Sequence, residues 1–213
     1  MMNLLYKELR LAAHPTLYIF SLMGILVLVP NYPYTVVFLF GCLASYITFF
    51  YGRETNDIYY TALLPVKKQD VVKGKCLLMV VTQVFSMAIT VPCAILRTSF
   101  LPDGNLVGIE ANVAFFGFGF IIYALFNLVF LTQFFVTAQK SGRAFLLASI
   151  PALLVMIIAE ALVHFPGLEW LDSVAPDVMV RQLPILVVGV IVYVLANILA
   201  YRIASSRFLK VDL

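Results

Sequence analysis

Long apolar runs alternate with short polar segments along the whole chain. Each run would form a helix, and a membrane core near 30 Å needs about 20 apolar residues in a helix. The pattern predicts an all-α membrane protein, a single domain over residues 1–213 with six transmembrane helices. The predicted spans are residues 16–29, 34–51, 76–96, 111–137, 144–163 and 183–203.

Two of these runs differ from the others. The first has only fourteen residues, which reach about 21 Å, so flanking residues or local thinning of the bilayer must complete the crossing. The fourth is longer than the core is thick and contains Gly117 and Gly119, where the helix could bend or a neighbour could approach closely. The sequence therefore predicts unequal spans and at least one tight helix contact.

The first fourteen residues have a different pattern. Met2, Leu5, Leu9 and Ala12 recur at helical spacing, and charged side chains lie mostly off that stripe. This spacing predicts an amphipathic helix over residues 1–14 that lies in the membrane interface. A cleaved signal peptide is the alternative. The run 16–29 leads directly into a proline-containing turn and another span without a small-residue cleavage site, which argues against it.

Residues 53–75 form the one long polar segment. No Gly or Pro interrupts residues 53–64, and apolar residues recur there at intervals of three and four residues, as on one face of a helix. Glu54 and Asp57 fall in what would be the first turn, where the helix dipole favours acids. A short amphipathic helix over residues 54–64, ended by Pro65, is predicted. The lysines that follow are predicted to lie at the membrane surface: Lys67, Lys68, Lys73 and Lys75. The alternative is a solvated loop whose lysines only set the topology.

Composition and charge agree with a membrane protein. The chain is 63% hydrophobic and 12% charged, and its formal charge of +3 is too small to indicate nucleic-acid binding. With six spans, twelve of the fourteen Lys and Arg residues fall on the side of the termini, and only Arg97 and Arg181 fall opposite. The positive-inside rule then predicts a multi-pass protein of the cell membrane with cytoplasmic termini, a cytoplasmic segment 53–75 and an extracellular segment 164–182.

The usual signatures of catalysis are missing from the sequence. It contains no phosphate-binding glycine loop, and Lys140-Ser141 lacks the glycines that such a loop needs. His14 and His164 are predicted at opposite faces, too far apart to share a metal, and Cys42, Cys76 and Cys93 show no ligand or disulfide spacing. The chain is therefore expected to be no enzyme, with no catalytic residue, metal or cofactor of its own, and its cysteines are expected to be buried thiols.

Few polar residues fall within the spans. They are candidates for hydrogen bonds between helices or for contacts with a transported molecule: Gln83, Asn127, Gln133 and Glu160. Glu160, the one charged residue well inside a span, lies about one turn from its outer end. With so few polar residues, a transport path would be apolar and would suit an amphiphilic or hydrophobic cargo such as a peptide, antibiotic or lipid-like molecule. Because the sequence shows no proton or sodium relay, the energy for transport would come from another subunit.

The polar segment carries a family resemblance. Its pattern, Glu54-x-x-Asp57-x-Tyr59-Tyr60-x-x-Leu63-Leu64-Pro65-Val66-Lys67-Lys68-x-x-x-Val72-x-Gly74-Lys75, resembles the segment after the second span of small bacterial ABC exporter permeases of the type 2 membrane-domain family. The layout of the whole chain is also similar to that family. The resemblance covers an N-terminal interfacial helix, six spans and a broken outer segment before the last span.

The resemblance implies a function and partners. Residues 54–64 would be a coupling helix that docks on a separate ABC ATPase subunit, which would bind ATP and Mg. The implied docking residues are Glu54, Asp57, Ile58, Tyr59, Tyr60, Leu63, Leu64 and Pro65. A second permease copy or a paralogue would complete the path, and residues 166–180 would be short re-entrant helices, with a plain extracellular loop as the alternative. A membrane-anchored assembly or sensor protein without a transport path is the competing function.

Overall fold

The computed structural model describes residues 2–100, 105 and 107–211, and the described residues form helices and connecting turns without any strand. Five helices are long and apolar enough to cross a membrane, which confirms an all-α membrane protein. They are α3 (Val36–Glu54), α5 (Lys68–Phe100), α6 (Val113–Phe134), α7 (Ser141–Leu162) and α8 (Pro176–Phe208). The shorter helices are α1 (Met2–Lys7), α2 (Pro15–Ser21) and α4 (Asp57–Ala62).

The N-terminal region is bent rather than straight. Helix α1 continues as a π-helical turn over Glu8–Ala12, and α2 is followed by the 3-10 helix Met23–Leu28. The two halves, Leu4–Ala12 and Pro15–Leu28, meet at 96°, and only together do they qualify as a sixth span. The bend lies at the predicted boundary between the first fourteen residues and the run 16–29, and that run divides into the α-helix α2 and a 3-10 helix. Gly24, where a methyl group would clash with Thr90, marks the close packing of the 3-10 turn on α5.

Helices α5 and α8 extend beyond the predicted spans. Each has 33 residues, about 50 Å of helix, and each contains an internal proline. Helix α5 begins eight residues before residue 76 and continues past residue 96, the predicted end of the third span, to Phe100. Helix α8 begins at Pro176, because proline suits the first helical turn. The sequence Pro102-Asp103-Gly104-Asn105 is typical of a turn, and its first three residues lie outside the described part of the chain.

The segment before α8 contains one short turn, the 3-10 helix Glu169–Leu171. Gln182 donates hydrogen bonds to the carbonyl oxygens of Trp170 (2.8 Å) and Ser173 (3.0 Å), and Asn112 donates to Leu171 (2.7 Å). The side chains of α6 and α8 thus fasten this segment through its backbone. It is a strap with a single 3-10 turn before α8 begins at Pro176, where the family resemblance implied short re-entrant helices over residues 166–180.

Helix α6 forms the centre of the bundle. Its aromatic side chains fill the core and are almost completely buried: Phe115, Tyr123, Phe126, Phe130 and Phe134. On another side, the backbone of α6 lies directly against the backbone of α8. A methyl group added to Gly117 would lie 2.8 Å from the Ile185 carbonyl, and one added to Gly189 would clash with the Gly117 carbonyl oxygen. The close approach expected at Gly117 is confirmed, and small residues make it sterically feasible.

Replacing Gly189 by Ala is predicted to destabilise the protein by about 1–3 kcal/mol, because the added methyl group must separate α6 from α8. The matched control is Gly142→Ala in α7, where a methyl group meets no atom within 4 Å. The midpoint of thermal aggregation in detergent measures both. Equal midpoints for the two variants would contradict the tight α6–α8 contact.

Candidate functional site

One end of the bundle gathers most of the cationic segments. Lys7 of α1 contacts α4, Lys68 at the start of α5 donates to the Val211 carbonyl near the chain end (2.7 Å), and Arg207 donates to the Thr132 carbonyl of α6 (2.5 Å). We call this the basic end. The segments that the charge pattern assigned to one side of the membrane therefore lie together in the structure.

Helix α4 lies at the basic end and is shorter than expected. Asn56 takes a left-handed conformation (φ 52°) between α3 and α4, a conformation that asparagine tolerates better than most residues. Helix α3 runs on to Glu54, so this acid closes α3 instead of opening the next helix as predicted. Asp57 does occupy the first turn of α4.

A cluster of four charged side chains joins α4 to its neighbours. The Lys75 Nζ atom lies 2.6 Å from an Asp57 carboxylate oxygen and 2.7 Å from a Glu8 oxygen, while Lys7 lies 2.5 Å from Asp57 and 3.0 Å from Glu8. Lys7 also donates to the Thr61 hydroxyl at 2.7 Å. We call Lys7, Glu8, Asp57 and Lys75 the charge cluster. It connects the N-terminal helix, α4 and α5 through two cations and two anions.

The charge cluster is buried, and its charges are balanced. Lys75 is 1% exposed and Glu8 is fully buried. Burial by itself raises the pKa of the Asp57 carboxyl, but the ammonium groups of Lys75 and Lys7 outweigh that effect and hold the pKa below its usual range. Asp57 therefore stays ionised at neutral pH, as a buried ion pair requires.

Lys75 corrects one prediction from the sequence. It was expected at the membrane surface with Lys67, Lys68 and Lys73, but it points into the protein, where two carboxylates compensate its charge. Lys67 is exposed, whereas Lys68 and Lys73 are partly buried. No local signal distinguishes Lys75 from the other three, because its partner Glu8 is 67 positions away in the sequence.

The opposite face of α4 is exposed and apolar. Four large side chains point outward there: Tyr59 (47% exposed), Tyr60 (63%), Leu63 (67%) and Leu64 (53%). We call these four residues the α4 outer face. Pro65 and Glu54 are exposed beside it, and Glu54 forms an ion pair with Arg53. Asp57 and Ile58, which the resemblance placed in the same docking set, lie on the inner side of α4.

A cavity of about 270 Å³ lies next to the α4 outer face. Its walls come from the end of α3, from α4 and from the link between α6 and α7: Gly52, Arg53, Asn56, Ile58, Tyr59, Ala138 and Gln139. Two of these residues, Asn56 (φ 52°) and Ala138 (φ 54°), have left-handed backbones. Such conformations cost energy in a non-glycine residue and are enriched at functional sites.

Polar residues within the spans form a separate network. Gln83 and Asn127 exchange two amide hydrogen bonds (2.8 and 2.7 Å), and Asn127 also donates to Asn197 at 3.1 Å. The Tyr193 hydroxyl donates to Gln83 at 2.9 Å. This network joins α5, α6 and α8. Gln83 and Asn127 are completely or almost completely buried within one chain, so in this conformation they form hydrogen bonds between helices of that chain.

Sequence reasoning missed Tyr193 and Asn197. The available signal was their spacing of four residues, which places two hydrogen-bonding side chains on one face of an apolar helix. The other two polar candidates lie elsewhere. Gln133 is partly buried beside a small cavity near Lys140, and Glu160 accepts hydrogen bonds from the Thr35 hydroxyl (2.5 Å) and the Ile109 amide (2.9 Å).

The three cysteines are free and buried, as expected from the sequence: Cys42, Cys76 and Cys93. They contribute to packing and form no disulfide. The described part of the chain is thus a polytopic helical membrane protein. At its basic end, α4 has an exposed apolar outer face and an inner side that is fixed by the buried charge cluster.

Comparison with known proteins assigns this architecture to a family. A protein-family model with the description "ABC-2 family transporter protein" matches residues 3–208 of the sequence, nearly the whole chain. The chain therefore belongs to the ABC-2 transporter family and is a transmembrane transporter subunit. Searches of curated proteins and of solved structures found no match. The family is one of permeases that are generally non-catalytic membrane subunits.

Replacing Lys75 by Met is predicted to loosen α4. The change leaves Glu8 and Asp57 without their shared buried cation, and breaking a buried ion pair from one side costs about 3–5 kcal/mol. Chymotrypsin cleavage after Tyr59 and Tyr60 should then become faster in the purified protein, because α4 separates more often from α1 and α5.

The matched control is Lys67→Met, which removes the same charge from an exposed position. Cleavage of this variant should match that of the unmodified protein. An unchanged cleavage rate in Lys75→Met would mean that the charge cluster does not hold α4 in place.

Proposed function

We propose that this chain is the membrane subunit of an ATP-driven exporter, and that the α4 outer face docks a separate ABC ATPase. The observation that carries the proposal is the exposure of four large apolar side chains, two on α4 and two directly after its end, outside the spans. Exposed apolar patches of this kind are typical of protein interaction sites. Tyrosine is also enriched among the residues that dominate binding energy at interfaces.

The position of α4 supports a coupling role. Its inner side is joined to α5 through Asp57 and Lys75, and to the N-terminal helix through Asp57 and Lys7. A force applied to the outer face is therefore transmitted to the start of a 33-residue helix by buried ion pairs rather than through a flexible loop. Closure of two ATPase subunits on ATP would move α4 and shift the spans between inward-open and outward-open arrangements.

The remaining parts of the exporter follow from the same proposal. ATP and Mg are bound by the ATPase subunits, and the basic end lies in the cytoplasm of a cell whose membrane holds the chain. A second permease copy or a paralogue covers part of the apolar surface of α5, α7 or α8, and lipid covers the rest. The cargo is amphiphilic or hydrophobic, because the spans offer few charges. Membership of a transporter family disfavours the alternative of an assembly or sensor protein.

Replacing Leu63 by Asp is predicted to reduce recovery of the ATPase with the permease by about tenfold or more, because it places a charge in the centre of a desolvated interface. Glu54→Lys, at the edge of the same surface, should reduce recovery less, since charges at an interface rim contribute little. The measurement is affinity purification from native membranes, with the ATPase identified by its nucleotide-binding sequence and its ATP hydrolysis.

The matched control is Leu209→Asp, which introduces the same charge at an exposed leucine (53%) at the end of α8. It should recover as much ATPase as the unmodified protein, and the permease alone should hydrolyse no ATP. Undiminished recovery with Leu63→Asp in a folded protein would refute docking through α4.

A further inference from the structure

A cavity of about 390 Å³ lies on the side of the bundle, away from the α4 outer face. It is formed where α7 passes the start of α3 and residue 107. Its walls are mainly apolar: Pro33, Thr35, Val36, Val107, Leu153, Met156, Ile157, Glu160, Ala161 and His164. It is a wide-open groove rather than an enclosed pocket. The cavity opens along the exposed side of α7, where Leu153 and Ile157 project outward.

One carboxylate lies in this apolar wall. Glu160 accepts hydrogen bonds from the Thr35 hydroxyl at 2.5 Å and from the Ile109 amide at 2.9 Å. A carboxylate has about four lone-pair positions, so these two donors leave acceptor capacity for a further partner. A methyl group on Gly108 would clash with the same carboxylate, so residues 107–109 hold it closely on one side while it lines the cavity on the other.

We infer that this cavity binds an amphiphile with an ammonium head group and an alkyl chain. The carboxylate of Glu160 pairs with the ammonium group, and Leu153, Met156 and Ile157 contact the chain. A neutral amphiphile of the same length can donate a hydrogen bond to the carboxylate but lacks the ion pair, and an anionic one meets repulsion. The site goes beyond the proposed ATPase docking and is independent of it, since none of its residues belongs to α4 or to the charge cluster.

Photolabelling of the purified chain in non-ionic maltoside micelles, with no ATPase present, tests the inference. The probe is dodecylamine carrying a diazirine on its alkyl chain, and the comparison probe is the matching dodecanol derivative. The amine should label peptides that contain Leu153 or Ile157, and dodecylamine without the diazirine should compete with it. Labelling should fall about tenfold in Glu160→Gln, the loss expected from one charge-assisted hydrogen bond. The control is Glu169→Gln, which alters an exposed acid outside the cavity and should leave labelling unchanged.

A second pair of variants keeps Glu160 intact. Ile157→Trp fills the mouth of the cavity and should reduce labelling, whereas Ile158→Trp, at the neighbouring exposed position outside the cavity wall, should not. This pair decides the question if Glu160→Gln fails to fold. Equal labelling by amine and alcohol probes, or no labelling of α7, would overturn the inference. Glu160 would then only fasten residues 107–109 to α7, or a second copy of the chain would cover the cavity.

Discussion

The buried pairing of Lys75 with Glu8 and Asp57 is the interaction on which the basic end depends. An unpaired ammonium group inside a helical bundle costs several kcal/mol, so Lys75 is tolerated there only while both carboxylates remain in place. Each carboxylate belongs to a different element, and neither α1 nor the six-residue α4 is long enough to be stable alone. Lys75 thus fixes two short helical segments, the one that contains Glu8 and α4, to the long helix α5.

This arrangement explains why α4 can have an exposed apolar face. A short isolated helix would bury Tyr59, Tyr60, Leu63 and Leu64 in the bilayer surface or unfold. Here the charge cluster fixes the inner side of α4, and the outer side remains available to a partner. The same ion pairs connect that surface to α5, which reaches across the bundle and meets α6 and α8 through the hydrogen bonds of Gln83. The α4 outer face, the buried ion pairs and the long helix α5 are therefore connected without a break.

The sequence predicted most of the fold because lipid imposes strict rules on composition. Apolar length located five spans and the small residues at Gly117 predicted close helix packing, both of which are local signals. It failed where tertiary contacts override those signals. Lys75 resembles a surface lysine until Glu8 is brought beside it, and the break at Asn56 follows from the positions of α3 and α4 rather than from a Gly or Pro. The docking set implied by the family resemblance stays a prediction, and the division of its residues between the inner and outer sides of α4 required the structure.

We propose that the outer side of α4, and not its inner side, meets an ATPase. Site-specific photocrosslinking in native membranes tests it directly, with a photoreactive amino acid at Tyr60, at the buried Ile58, or at Ile150 on the exposed side of α7. We expect a crosslink from Tyr60 to a subunit with an ABC nucleotide-binding sequence, and none from Ile58 or Ile150. Crosslinks from Tyr60 only to lipid or to the permease itself would contradict it.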